Sequence, residues 1–173
     1  MSGRERDRDG LGRARQARPR DALGRPLPYG AQGVEPVSEQ ALPPQETLSR
    51  ARELVEGGRP FAAHEILEAR WKAGPLEERG LWQGLAQVCV AITHAARGNQ
   101  TGAERLLERA TATLAAYAAT GRDSHGLDVD AALAAVRKQL AEPRACEARL
   151  TPQAQGALND SGARDGARHP DVG

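Results

Sequence analysis

Phe61-Ala62-Ala63-His64-Glu65-Ile66-Leu67-Glu68-Ala69-Arg70-Trp71 is the stretch that decides the fold. It contains no glycine or proline, and it lies between Pro60 on one side and Gly74-Pro75 on the other, which predicts a helix over about 60–73. At 100° per residue, Leu67, Trp71, His64, Glu68 and Phe61 fall within one arc of about 120°. The arc reads as the inward face, with an imidazole and a carboxylate between aromatic rings. Ile66 lies off it, so the helix is expected to touch two neighbours, and Glu65 sits at its edge.

On the N-terminal side, Leu48, Ala51, Leu54 and Val55 repeat at helical spacing after Pro43-Pro44, predicting a helix over about 44–56 that Gly57-Gly58 ends. So short a connection to Pro60 makes the two helices an antiparallel hairpin. On the C-terminal side, Leu81, Trp82, Leu85, Val88, Cys89, Ile92, Ala95 and Ala96 cover about half the wheel of a third helix, about 76–97, which should therefore be central. Gly84 and Ala91 share one flank and would let another helix come close. Gln83, Gln87, Val90 and His94 form a separate narrow stripe.

Arg97-Gly98-Asn99 closes the third helix, and Thr101-Gly-Ala-Glu104 reads as a capping box opening a fourth that runs to about Ala119. Ala103, Leu106, Leu107, Ala110, Leu114 and Tyr117 would be its buried face. Asp128 can cap a fifth helix over about 129–141, with Val129, Leu133, Val136 and Leu140 inward and Pro143 beyond its end. The fold class is thus all-α: a compact bundle of about five helices built from αα-hairpins over residues 44–142. No repeat period of the solenoid kind is present.

The 173 residues include 19 Gly and 11 Pro, and aromatics are only 3%, too poor a mix to pack throughout. Residues 1–43, rich in Arg, Pro and Gly, and 143–173 are expected to be disordered tails. Within 1–25, eight arginines face four acids, a balance that argues against a nucleic-acid-binding arm, as does the net charge of +1. The first 20 residues lack an apolar signal core and nothing approaches a membrane span, so the default expectation is a cytoplasmic protein without membrane partners. Cys89 and Cys146 lack disulfide or metal-site spacing. His125 and His169 fall in loop and tail and read as surface residues.

The chemistry-bearing constellation is on the second helix. His64 and Glu68, four apart, converge on one side and are proper ligands for zinc or another divalent metal. His94 is the best third ligand, Glu65 the next. Gln83 and Gln87 could orient ligands from behind, and with an open coordination position Glu65 could take a proton from bound water. Phe61 and Trp71 would wall such a pocket. The plainer alternative needs no metal: Glu68 accepts a hydrogen bond from His64, Gln87 or a backbone group completes the set, and the pair fixes how the second and third helices dock. The chain would then be a non-catalytic module that binds a partner, a small ligand or a second copy of itself.

His64-Glu65-x-x-Glu68-x-x-Trp71, Trp82-Gln83-Gly84-Leu85-x-Gln87, and His94 with Arg97-Gly98-Asn99 and Gly102-Ala103 together resemble the small helical domain known as domain of unknown function 309, over roughly 46–120. Residues 18–27 also resemble a leader seen on actinobacterial members. The resemblance implies an all-α bundle and the label of a metal-dependent hydrolase, with His64, Glu65 and Glu68 as motif positions. A zinc-peptidase helix carries His-Glu-x-x-His; here Glu68 stands in the fifth place, so the peptidase reading loses one of its imidazoles.

Overall fold

The structure is a computed structural model that describes residues 18–141. Residues 1–17 and 142–173 lie outside the described part, and with them most of the two expected tails, Cys146 and His169. The helices are α1 (Pro44–Glu56), α2 (Pro60–Ala73), α3 (Arg79–Ala96), α4 (Gln100–Ala118) and α5 (Val129–Ala141). A single 3-10 turn, Leu76–Glu78, precedes α3, so the helix expected from about 76 begins in tighter winding. Among the described residues there is no strand, and one isolated bridge pairs Arg20 with Pro26. The expected all-α bundle of five helices is what forms.

Successive helices pack as neighbours: α1 on α2, α2 on α3, and most extensively α3 on α4, with α5 joined more lightly to α3. Central α3 buries Leu81, Trp82, Gly84, Ala86, Val88, Cys89, Ala91, Ile92 and Thr93. Burial pushes the Cys89 thiol up to about 12, so it behaves as a small apolar residue. At Gly84 α4 comes close. A Cβ there would lie 2.5 Å from Leu114 Cγ, and Ala91 on the same flank is wholly buried, so the small-residue flank is the α3–α4 contact.

Helix ends follow local chemistry. Pro44 and Pro60 open α1 and α2, where a missing N–H costs nothing. Gly58 and Gly98 adopt φ of 73° and 81° just past α1 and α3. The opening of α4 differs from the expected capping box. Gln100 and Thr101 are already helical, and the cap is Asn99, whose side-chain oxygen accepts the Gly102 N–H at 2.9 Å. Asn99 sits two residues earlier than Thr101 and ends one helix while starting the next. Asn99→Ala should cost about 1 kcal/mol, read as a shift in urea midpoint at unchanged slope. Asp128 caps α5 as expected, accepting from Ala131 at 2.9 Å.

Residues 18–43, expected to continue the unstructured N-terminal tail, carry defined contacts in the structure. Asp21 Oδ1 accepts the N–H groups of Leu23 and Arg25, Leu27 donates to the Pro19 carbonyl and Val34 to that of Arg20. The segment doubles back on itself by backbone and Asx-turn bonding. It then leads to α1 through Val37 and Leu42, which pack against the core. Hydrophobic content, the basis of the sequence expectation, does not register bonding of this kind.

Candidate functional site

The buried face of α2 is rotated from the expected arc. Pro60, Ala62, Ala63, Ile66 and Leu67 are buried, whereas Phe61, His64, Glu68 and Trp71 lie half-buried along one flank. On a 100° wheel the Ala62–Ala63–Ile66–Leu67 face centres near Arg70, about 130° from the centre of the expected arc. Two alanines mark the inward side weakly, while Phe61 and Trp71 pull a hydrophobicity reading toward the flank.

Arg70 is consequently the polar group that points into the bundle. Its Nη2 donates to Glu78 Oε2 at 2.9 Å, and the two side chains keep only 16% and 19% of their exposure. Trp82 Nε1, on a fully buried ring, donates to the same oxygen at 2.8 Å. The Arg70 guanidinium lies 5.5 Å from the Trp82 ring centre, and the His125 imidazole stacks on that ring at 5.7 Å. His125 Nε2 stands 3.4 Å from Glu78 Oε1, near enough to pair when protonated but without hydrogen-bond alignment. His125 holds φ at 55°, and Tyr117 donates its hydroxyl to the Asp123 carbonyl at 2.7 Å, so the loop after α4 is pinned over this cluster.

Burial alone would raise the Glu78 pKa. The hydrogen bonds from Trp82 and Arg70 outweigh it and hold the carboxyl below its ordinary value. Burial, then the Glu78 charge, pushes the Tyr117 phenol up. The cluster joins the end of α2, the 3-10 turn, α3 and the α4–α5 loop. Chemically it is a charge-assisted pair shared with an indole N–H, the arrangement that keeps buried ions tolerable, while Arg70 Nε and His125 Nε2 are buried without a hydrogen-bond partner. Sequence reading missed Arg70 and Glu78 and placed His125 at the surface. The usable signal was the spacing of Glu78 and Trp82, four apart across the start of α3.

The residues expected to form a metal centre are placed differently. His64 Nδ1 is buried and makes no hydrogen bond, with Phe61 beside it at 6.0 Å between ring centres. Glu68 pairs outward with Lys72 at 2.9 Å, and its side chain is 37% exposed. His94 Nδ1 contacts Asn99 Nδ2 at 3.0 Å, within the α4 cap. Gln83 is exposed, and Gln87 Oε1 accepts from Thr113 on α4 at 3.3 Å, not from the α2 pair. Trp71 rests against the core with the Arg79 guanidinium 5.9 Å from its ring centre. Among the described residues no group of three or more His, Cys, Asp or Glu is gathered so that it could hold a metal ion. The donor set of His64, Glu68 and His94 therefore does not fit the group that the family label implies. A cleft of about 550 Å³ opens between residues 35–42 and α1, and its walls include Val37, Leu42, Arg59 and Ile66 but not Phe61, His64, Trp71, Gln83 or Gln87.

Burial lowers the His64 pKa, Glu68 raises it in part, and Lys72 lowers it further. Burial likewise raises that of Glu65, against a lowering by Arg20. A histidine whose folded pKa lies below its unfolded value of 6.5 binds its proton more readily in the unfolded chain. Its contribution is intact above 6.5 and is lost as pH falls from there toward the folded value. Melting temperatures at pH 7.5 and 5.5 should differ less in His64→Gln than in the wild type. An equal drop in both would contradict this burial.

The most consequential contact of the α2 flank is made by the chain's own leader. Gly24, with φ of 76°, is buried against Phe61, and a Cβ there would lie 2.2 Å from Phe61 Cγ. Arg20 stands 5.2 Å from the centre of the same ring. Arg97, just past α3, donates to the Leu23 carbonyl through Nε at 3.1 Å and through Nη2 as well. Arg59 donates to the Glu35 carbonyl at 2.6 Å further along.

Fold and site together define a small all-α protein of consecutive helical hairpins, its polar groups interlocked and one groove filled by its own N-terminal segment. Residues 48–106 match the model of the family described as "Domain of unknown function (DUF309)", which bears out the resemblance read from the His64, Trp82 and His94 motifs. Over 48 residues the chain is 46% identical to "Uncharacterized protein YpuF" of Bacillus subtilis (strain 168), a match covering 27% of this chain and 28% of that protein. No solved structure matches. Among the described residues no helix is long and apolar enough to cross a membrane.

Proposed function

We propose that this protein is a non-catalytic helical binding module, and that the polar residues of α2 hold its parts together. The observation that carries this reading is the leader seated between Phe61 on α2 and Arg97 just past α3, where the helical domain already grips a polypeptide segment through its backbone. Phe61 supplies a flat apolar face, and Arg97 a forked donor for a carbonyl. The metal-dependent hydrolase reading asks for three converging ligands. Here Glu68 turns to Lys72 and His94 to Asn99, which leaves His64 by itself. A cytoplasmic setting agrees with the reading but is not required by it.

Titration of the purified full chain with zinc, manganese and ferrous ions by calorimetry tests it. The reading expects no saturable one-to-one site that depends on His64. Stoichiometric uptake lost in His64→Ala would replace it with the metal-centre reading.

A further inference from the structure

The leader is an unusual occupant for a groove of this kind. It brings little apolar surface, since the residue set on Phe61 is a glycine and Leu23 and Leu27 are only half-buried. Its hold on Arg97 runs through a backbone carbonyl, a contact that does not depend on side-chain identity. The turn is tied internally: Asp21 Oδ1 ties Leu23 and Arg25, Gly24 donates to the Asp21 carbonyl at 2.9 Å, and Arg20 Nη1 donates to the Gly24 carbonyl. Such internal bonding lowers the ordering cost of docking. Between the turn and α1 lie residues 28–43, with no helix and with Pro28, Pro36 and Pro43, a length that lets the turn leave without unwinding α1.

The two sides of the contact also fall differently against the matched stretch. Phe61 and Arg97 both fall within residues 48–106, the stretch that matches the family, whereas the leader falls before it.

We propose that the groove between Phe61 and Arg97 is a recognition site for a glycine-centred turn in a partner polypeptide, and that residues 18–34 are its occupant in cis, displaced when the partner binds. The partner's turn places a glycine of positive φ on the Phe61 ring, where any Cβ would collide, and presents the preceding carbonyl to Arg97. A basic side chain two to four residues earlier takes the place of Arg20 over the ring. This deepens the binding-module reading and rests on it. Loss of that reading would show as His64-dependent metal uptake, a measurement separate from the one below.

The test uses full-length protein and a labelled synthetic peptide with the sequence of residues 18–34, followed by fluorescence anisotropy. The wild-type chain, its groove filled, should bind the peptide at least 10-fold more weakly than Gly24→Val, whose own leader no longer fits. Adding Arg97→Ala to Gly24→Val should remove that binding, and a peptide carrying Gly24→Val should not bind either form. Far-ultraviolet circular dichroism of both variants should match the wild type, since neither residue lies within a helix. Three results would overturn the proposal: Gly24→Val failing to bind the peptide, wild type and Gly24→Val binding it equally, or Arg97→Ala leaving binding intact. A wild-type dimer that the peptide separates into monomers would overturn it too, in favour of leaders exchanged between two copies.

Discussion

Trp82→Ala is expected to remove about 4 kcal/mol of folding stability, the usual range for emptying a buried aromatic site. Trp82 is fully buried on central α3 and is the largest side chain in the core. Its loss would do more than leave a void. The Glu78 carboxylate would keep Arg70 but lose the indole N–H at 2.8 Å, and His125 would lose the ring on which it stacks. The loop after α4 would then be held chiefly by the Tyr117 hydroxyl on the Asp123 carbonyl. Urea unfolding followed by circular dichroism gives the loss in stability. Trp82→Phe separates the contributions: it keeps a ring and forfeits the hydrogen bond, so it should cost about 2 kcal/mol, the order of one hydrogen bond to a charged group. Equal losses in the two variants would show that the Glu78 bond, not packing, dominates.

Gly84→Val is expected to cost about 3 kcal/mol by forcing α3 and α4 apart. Even the first added carbon would lie 2.5 Å from Leu114 Cγ and 2.7 Å from its Cδ2, and Leu114 is itself almost wholly buried, with nowhere to go. A branched side chain adds two more atoms at the same spot and has a single favoured rotamer in a helix. Leu114→Ala in the same chain should recover part of the loss by opening the space the valine needs, so the two changes are non-additive. Simple additivity by urea denaturation would show that the contact is not the cause.

The helices were legible in the sequence because their signals are local. Pro44, Pro60, Gly58 and Gly98 punctuate the chain where they stand, and the apolar run of α3 announces a central helix by itself. The small flank of Gly84 and Ala91 was also legible, since only a close neighbour explains it. The site was less so. Which flank of α2 turns inward depends on where α1 and α3 lie, and Ala62 and Ala63 give hydrophobicity too little contrast to say. Arg70 therefore went unnoticed, although Glu78 and Trp82 receive it inside the fold. His125 looked like a surface loop residue because its stacking on Trp82 spans more than forty positions of chain. The contacts of the leader were not legible for a related reason. Its order comes from carbonyls, an Asx turn and one glycine, none of which adds to an apolar count.

Amide hydrogen exchange at Leu27 and Val34 tests the account where it is most exposed, because these two N–H groups close the leader on itself through the carbonyls of Pro19 and Arg20. In the wild-type chain both should exchange at least 10-fold more slowly than in an unstructured peptide of the same sequence. In Gly24→Val they should lose most of that protection while the amides of α2 and α3 keep theirs. Unprotected exchange at both positions in the wild-type chain would contradict the account, since the groove of Phe61 and Arg97 would then have no occupant from which to infer a partner.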